Sequence, residues 1–231
     1  MKRGRMLGLC LFILCSTHGL EAQDLSHYRN FELGSDLGSV STGAGVAASE
    51  AKTIHQRPAV LQDLEYRPSH WLTGSAAAST DPVEQIAFSF YNDQLFRIVV
   101  DYGHERTEGM TGADMIEAIS TVYGPRLPQT LRAPGRAVSR LESESGSPVA
   151  RWGDRQYAIV LYQTSSYGAA YRLIVTDVGR DELARRAATQ ALRLDDQEAP
   201  QRELARQQKE RDDGRAAGAK ARAVNKGVFR P

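Results

Sequence analysis

The chain has 231 residues, with 29 lysines and arginines, 28 aspartates and glutamates, and 41% hydrophobic residues. This length corresponds to one or two domains of ordinary size. The nearly balanced charge argues against a chain devoted wholly to nucleic-acid binding. No apolar run in the sequence reaches the ~20 residues that a membrane-spanning helix needs.

The first segment, residues 1–22, has the layout of a secretory signal peptide. Three basic residues precede an apolar run over 6–15, and small and polar residues follow up to Ala22. Cleavage near Ala22 predicts a periplasmic or secreted protein with no transmembrane segment after processing. Cys10 and Cys15 each follow a leucine, where a lipid-attachment box has a small residue, so a lipoprotein is disfavoured.

Cleavage at this point removes both cysteines of the chain. The processed protein then has no disulfide, no thiol nucleophile and no cysteine-ligated metal. Its charge is also unevenly distributed, because residues 23–199 carry −6 and residues 200–231 carry +5. This asymmetry predicts an acidic body with a basic tail, which is either a solvated end or an arm for an anionic surface.

In the first half, the sequence predicts two short helices between 31 and 58. Ser35 and Asp36 can cap the first helix, and the Gly43-Ala44-Gly45 triplet ends it. A second helix is predicted from Ser49 to about Gln56, because Pro58 limits it. A strand is then predicted from Leu64 and Tyr66 towards Trp71, and Pro68 ends it early or places it at a sheet edge.

The clearest local signal is a hairpin formed by residues 85–91 and 95–102. A two-residue turn at Asn92-Asp93 would place Phe88 opposite Arg97 and mix polar with apolar side chains. A three-residue loop instead pairs Phe90 with Phe96, Phe88 with Ile98 and Ile86 with Val100, which gives one apolar face. The sequence therefore favours the three-residue loop, although Gln94 would then adopt a left-handed conformation.

The second half repeats this order of a helix and antiparallel strands. Thr111 can cap a helix over 112–122, whose apolar positions are Met115, Ile116, Ile119 and Val122. Residues 126–147 are predicted as loop, with brief pairing over 137–141. A second hairpin joins 149–152 to 156–163 around Gly153-Asp154, and a further strand covers 171–176.

A closing helix is predicted over 181–194, with a stripe formed by Leu183, Ala187, Ala191 and Leu194. Pro200 marks a boundary, and the polar residues beyond it predict a disordered or solvent-exposed helical tail. The expected fold class is α+β, with two helix-plus-antiparallel-hairpin units that either remain separate or share one sheet. The predicted divisions are the signal peptide at 1–22, units at 23–106 and 107–199, and the basic tail at 200–231.

A resemblance to known families rests on three stretches. Gly109-Met110-Thr111, with Met115, Ile119 and Gly124, resembles the start of the helix in outer-membrane assembly lipoproteins and in tandem-repeat β-lactamase inhibitory protein. Leu33-Gly34-Ser35, with Val40 and Gly45, resembles a looser copy. Residues 28–67 are similar to a family of uncharacterised exported bacterial proteins. The resemblance implies a role in protein binding or envelope assembly, although the lipid-attachment cysteine and the disulfide of the two named families are lacking.

No combination of residues in the sequence points to catalysis or to a cofactor. The histidines of the processed chain lack metal-ligand spacing, and no nucleophile lies in a G-x-S-x-G elbow. Residues 43–48 match G-x-G-x-x-A, but no hydrophobic strand precedes them, so a dinucleotide is not expected. The sequence therefore predicts no catalytic residue, no cofactor and no metal, and it favours a protein that is not an enzyme.

Interfaces favour tyrosine, tryptophan and arginine, so the candidate site is a contact patch. Its residues lie near predicted turns and strand ends, and they are Trp71, Tyr91, Arg97, Tyr102, His104 and Arg106.

The expected function is that of an exported, non-enzymatic protein that binds a protein partner in the cell envelope and, through its tail, an anionic surface. One alternative is a hydrolase whose site forms only in three dimensions, with His70 or His104 buried beside a carboxylate. The other is a nucleic-acid binder that uses the predicted helix pair at 35–57, which imitates a helix-turn-helix, together with the basic tail. Export disfavours nucleic acid as a partner.

The export prediction has a direct test. N-terminal sequencing of the protein purified from cells should begin at Gln23, and mass spectrometry should find no lipid, because residues 1–22 carry the features that signal peptidase recognises. Recovery of a chain that begins at Met1 in the cytoplasm would contradict this prediction and would favour the nucleic-acid alternative.

Overall fold

The computed structural model describes residues 24–68, 81–128, 145–164, 169–228 and 230. Three α-helices lie in these ranges: α1 (Leu37–Ala44), α2 (Gly112–Tyr123) and α3 (Val178–Val228). A 3₁₀ turn covers Ala48–Glu50. The strands are β1 (His27–Tyr28), β2 (Phe31–Glu32), β3 (Lys52–His55), β4 (Leu61–Tyr66), β5 (Val83–Tyr91), β6 (Gln94–Gly103), β7 (Ser147–Gly153), β8 (Tyr157–Gln163) and β9 (Ala169–Asp177).

Strands β3 to β9 form one seven-stranded antiparallel sheet with the order β3-β4-β5-β6-β9-β8-β7. The α+β class is therefore confirmed. The two predicted units share this sheet, because β6, the last strand of the first unit, pairs with β9, the last strand of the second. The boundary predicted at 106 thus separates two halves of one sheet and not two independent bodies.

One face of the sheet carries the main hydrophobic core. Side chains from both halves meet there, including Phe88 and Ile98 from β5 and β6 and Leu161 from β8, all fully buried. Helices α1 and α2 and the β1–β2 hairpin contribute Val40, Ile119 and Phe31 to the same cluster. Because strand side chains alternate between faces, the opposite face is left for α3, whose Ala184 packs with Leu61 and Phe96.

The β5–β6 hairpin has the predicted register but not the predicted loop. Phe88 pairs with Ile98 and Ile86 with Val100, as expected. The turn, however, is the two-residue Asn92-Asp93, with φ values of 47° and 64°, and Phe90 pairs with Leu95. A bulge at Phe96 restores the apolar register, so Gln94 avoids the left-handed conformation, which asparagine and aspartate tolerate better.

Helix α1 confirms the first helical prediction, and the second predicted helix is wrong. Asp36 caps α1 by accepting a hydrogen bond from the Ser39 amide at 2.8 Å, and Gly45 ends it with φ 70°. Beyond the 3₁₀ turn, residues 52–55 form strand β3, which pairs with β4. The β-branched Thr53 and Ile54 favour a strand there, and β4 supplies the backbone partners that a local pattern cannot show.

The remaining local predictions in the second half hold with small shifts. Thr111 caps α2 in a capping box with Asp114, but Tyr123 is buried at its end and Val122 is 57% exposed. The β7–β8 hairpin and strand β9 form as predicted. Strand β4 ends before Pro68, and the predicted extension to Trp71 and the pairing over 137–141 lie outside the described residues.

Helix α3 is the largest departure from the prediction. It runs without interruption from Val178 to Val228 and contains Pro200, so Pro200 does not end the helix. A proline inside a helix removes one amide donor, and the Arg202 guanidinium donates to the Asp195 carbonyl at 2.8 Å just before this point. The buried stripe consists of Ala184, Ala187 and Ala191, whereas Leu183 is 46% exposed.

The core assignment predicts a large loss of stability on charge insertion. Phe88→Asp or Ile98→Asp should lower the free energy of unfolding by several kcal/mol, on the order of the total stability of a domain, because each places an unpaired carboxylate in the core. Chemical denaturation monitored by circular dichroism measures this change. The matched control is Leu192→Asp, at a side-chain position 59% exposed, which should change stability by less than about 0.5 kcal/mol. Equal midpoints for the three variants would show that the face assignment is wrong.

Candidate functional site

The structure does not bring the predicted contact patch together. Tyr91 and Arg97 lie at the α3 end of the β5–β6 hairpin, whereas His104 and Arg106 are exposed in the turn after β6. Seven residues of extended chain separate Arg97 from His104, which corresponds to about 23 Å. Trp71 lies outside the described residues. The described members therefore form two separate groups and not one surface.

Tyr102 belongs to the core and not to a contact surface. Its side chain is 8% exposed, and its hydroxyl lies 3.4 Å from the hydroxyl of Tyr28. The nearby Tyr123 hydroxyl donates to the His27 carbonyl at 2.8 Å. Burial raises the pKa of all three phenols, and raises that of Tyr102 well above its usual value. These groups therefore stay neutral and serve packing.

Arg97 also has a structural partner, at the base of α3. Asp181 is 1% exposed, and its carboxylate accepts a hydrogen bond from Arg97 and forms an ion pair with Arg185 at 2.9 Å. One turn earlier, Asp177 accepts from the Arg180 amide at 2.9 Å, and Arg180 donates to Gln94 at 3.0 Å. These contacts fix the first turns of α3 on the sheet, so the direction of the helix is set by β6 and β9.

A shallow groove runs between α3 and the outer strands β3 and β4. It contains two small cavities of about 220 Å³ and 170 Å³, and Ile54 lines both. Ile54 is 51% exposed. Arg57 bridges one end by donating to Glu198 at 3.1 and 2.8 Å, which lowers the pKa of Glu198. Cavities of this size are smaller than ordinary small-molecule sites, so each has room for about one side chain.

Strand β3 forms one edge of the sheet. Such an edge offers unpaired backbone groups to an added strand. However, β3 has only four residues, and its Lys52 forms an ion pair with Glu65 of the neighbouring strand β4 at 3.6 Å. A short edge strand with a lysine is typical of edges that resist pairing. The edge alone is therefore a weak candidate for binding.

The most exposed part of the described chain is the second half of α3. We call residues 200–228 the arm. All its residues are exposed, and a helix from residue 200 to residue 228 extends about 42 Å. The ion pairs within it are local, such as Arg206 with Glu203 at 2.8 Å and Arg215 with Asp212 at 3.5 Å. The arm therefore presents its charges to solvent and not to the body.

Sequence reasoning identified the tail as basic but missed how its charge is divided. Residues 200–213 carry four basic and four acidic side chains, whereas residues 214–231 carry five basic and none acidic. We call residues 214–230 the basic end. Counting charge in two windows instead of one would have revealed it. The groove could not be found in this way, because it depends on β3, which the sequence pattern did not predict.

The other candidate sites are not supported by the geometry. Gly43 to Ala48 end a helix instead of beginning one, so they offer no helix N-terminus to a phosphate. The predicted helix pair at 35–57 is absent as such, because its second helix is replaced by β3. Within the described ranges, no group of three metal-ligating side chains occurs, and His104 is exposed.

Two further findings complete the description. Among the described helices, none combines the length and the apolar character needed to cross a bilayer. Compared with family models, with curated proteins and with solved structures, the chain matches none of them.

The buried cluster at the base of α3 gives a quantitative prediction. Arg97→Met should lower the free energy of unfolding by about 3 kcal/mol, because it removes one of the cations that compensate the buried Asp181 carboxylate. The double variant Arg97→Met/Asp181→Leu should recover part of this loss. Arg206→Met, which breaks an exposed pair in the arm, is the control and should change stability by less than about 1 kcal/mol. If Arg97→Met and Arg206→Met unfold at the same denaturant concentration, the cluster does not anchor the helix.

Proposed function

We propose that this protein is an exported, non-enzymatic envelope protein that binds another macromolecule, and that the arm is its main contact element. The observation that carries this proposal is the division of α3. Its first part is anchored through Asp181 and the buried alanines, whereas residues 201–228 are exposed throughout.

The helix of the arm receives little stabilisation from the rest of the protein. Isolated helices are marginally stable in water, and most helical stability in proteins comes from packing of an apolar face. The arm packs no face on the sheet, and its larger apolar side chains, Leu204, Val224 and Val228, are 59–72% exposed. A partner that covers or neutralises the arm would supply the missing stabilisation, as in other helix-based recognition.

The body suits the role of a scaffold. Its single sheet and buried core hold the base of α3 in one orientation, and the groove at Ile54 offers a second, smaller contact. Export is part of the proposal and rests on residues 1–22, which lie outside the described residues. A processed chain without cysteine needs a substantial hydrophobic core, and the buried cluster on the sheet is consistent with that need.

One alternative function retains a specific observation in its favour. The basic end has five cationic side chains and no acidic one, which is also a feature of nucleic-acid-binding segments. The helix pair at 35–57 no longer supports that alternative. The hydrolase alternative has no such observation, since His104 is exposed and His70 lies outside the described residues.

Truncation after Ala199 tests the proposed function. The truncated protein should lose the partner that full-length protein recovers from a detergent-solubilised envelope fraction, because the contact element is missing. Its Tm should change by less than about 2 °C, because the removed residues are exposed and bury no core.

The matched control for this experiment is Ile54→Asn, which alters the groove and leaves the arm intact. It should recover the partner at close to the full-length level. Capture that survives truncation but not the Ile54 substitution would move the contact element to the groove. A cooperative fall in Tm on truncation would show that the arm packs as part of the body, which would overturn the proposal.

A further inference from the structure

The basic end differs from the rest of the arm in the balance of its charges. Every acidic side chain of the arm precedes residue 214, and the arm's acidic residues are Glu203, Glu210, Asp212 and Asp213. We call residues 200–213 the near half of the arm. Its cations can pair with these acidic residues, as Arg206 does with Glu203. Among the described residues, no ion pair involves Lys220, Arg222 or Lys226, so these cations are available to an external anion.

The helical period places three of these cations in one line. At 100° per residue, Arg215, Arg222 and Lys226 fall within about 40° of one another and span about 16 Å along the helix axis. Lys220 lies about 140° away. On the opposite side, Lys220 is the one cation, and it lies beside small apolar side chains, which are Ala217, Ala221, Val224 and Val228. We call the line of Arg215, Arg222 and Lys226 the basic stripe.

The sequence of the basic end stabilises a helix poorly in water. Gly214, Gly218 and Gly227 lie inside α3, and glycine is the least favourable residue there after proline. Arg222 and Lys226 are like charges at i,i+4, which also destabilises a helix. The body does not offset these costs, and the one ion pair described for the basic end, Arg215 with Asp212 at 3.5 Å, is exposed and weak. A helix in this segment therefore gains most from an external surface that neutralises its cations.

We propose that the basic end docks on an anionic lipid surface, with the basic stripe against the headgroup phosphates. This inference rests on the proposed export and arm function and names the partner of the basic end. A straight line of cations on one side of a helix matches a flat anionic surface. A helix in a nucleic-acid groove has phosphates along both flanks and needs cations on both sides.

The contact is electrostatic adsorption and not insertion. On the side opposite the basic stripe, the apolar side chains are alanines and valines, which bury too little area to hold a helix within the acyl region, and Lys220 lies beside them. Juxtamembrane cations gain their attraction from the negative surface potential, which falls off within a Debye length. The arm extends about 42 Å, which is enough for the body to remain outside that zone while the basic end is bound.

Vesicle binding of the processed chain, residues 23–231, tests this inference. Large unilamellar vesicles of phosphatidylcholine with 30% phosphatidylglycerol are compared with pure phosphatidylcholine at ~0.1 M salt, a concentration at which the Debye length is ~10 Å. The protein should sediment with the anionic vesicles and not with the neutral ones. Amide hydrogen exchange over 214–228 should slow on anionic vesicles, because the helix gains the stabilisation that it lacks in water.

The stripe variant is Arg215→Gln/Arg222→Gln/Lys226→Gln. Each cation near an anionic surface contributes about fivefold in affinity, so the stripe variant should bind about 100-fold more weakly. The control, Arg202→Gln/Arg206→Gln/Arg211→Gln, removes the same charge from the near half of the arm and should bind within a few-fold of the parent. Equal weakening of both variants would show that net charge alone acts, which overturns the role of the stripe.

Other outcomes separate this inference from the proposed function. Tighter binding to duplex DNA than to anionic vesicles at the same salt would assign the basic end to nucleic acid. Self-association that requires Ala217, Ala221, Val224 and Val228 would assign it to a second copy of the chain. If truncation at Ala199 abolishes capture of an envelope protein while the processed chain binds neither kind of vesicle, the proposed arm function stands and the lipid inference is wrong.

Discussion

The pairing of β6 with β9 is the interaction on which the rest of the structure depends. It runs from Arg97 opposite Thr176 to Gly103 opposite Ala169 and joins the two halves of the chain into one sheet. Neither half alone has both faces covered in this way, because the core contains helices from both halves and α3 begins directly after β9. The same two strands also supply Arg97 and Asp177, which fix the first turns of α3.

This arrangement explains where the groove and the arm lie. The sheet commits one face to the core, and α3 crosses part of the other face through alanines, whose small side chains allow a close approach. The groove at Ile54 lies where the helix passes the outer strands. Arg57 donates a hydrogen bond to the Glu198 carboxylate. Beyond this point the residues of the helix are exposed, so packing against the sheet does not restrict which side chains the arm carries.

Local patterns predicted those parts of the fold that local physics determines. The caps at Asp36 and Thr111 and the pairing of Phe88 with Ile98 follow from short-range sequence. The turn at Asn92-Asp93 was missed because a bulge at Phe96 gives the same apolar register without a left-handed Gln94. Strand β3 was missed because it depends on β4. The partners of two contact-patch residues could not be predicted for a related reason, since Arg97 and Tyr102 contact residues distant in sequence, Asp181 and Tyr28.

Along α3, the source of helix stability changes from one segment to the next. Before the proline, helix stability comes from packing and from the buried Asp181. In the near half of the arm it comes from local ion pairs among balanced charges, which add a few tenths of a kcal/mol each. In the basic end packing on the body is absent, the exposed pair of Arg215 with Asp212 is the one ion pair described, and the remaining cations repel one another. An external anion would offset that repulsion, which is the physical reason for placing the proposed contact in the segment that contributes least to the fold.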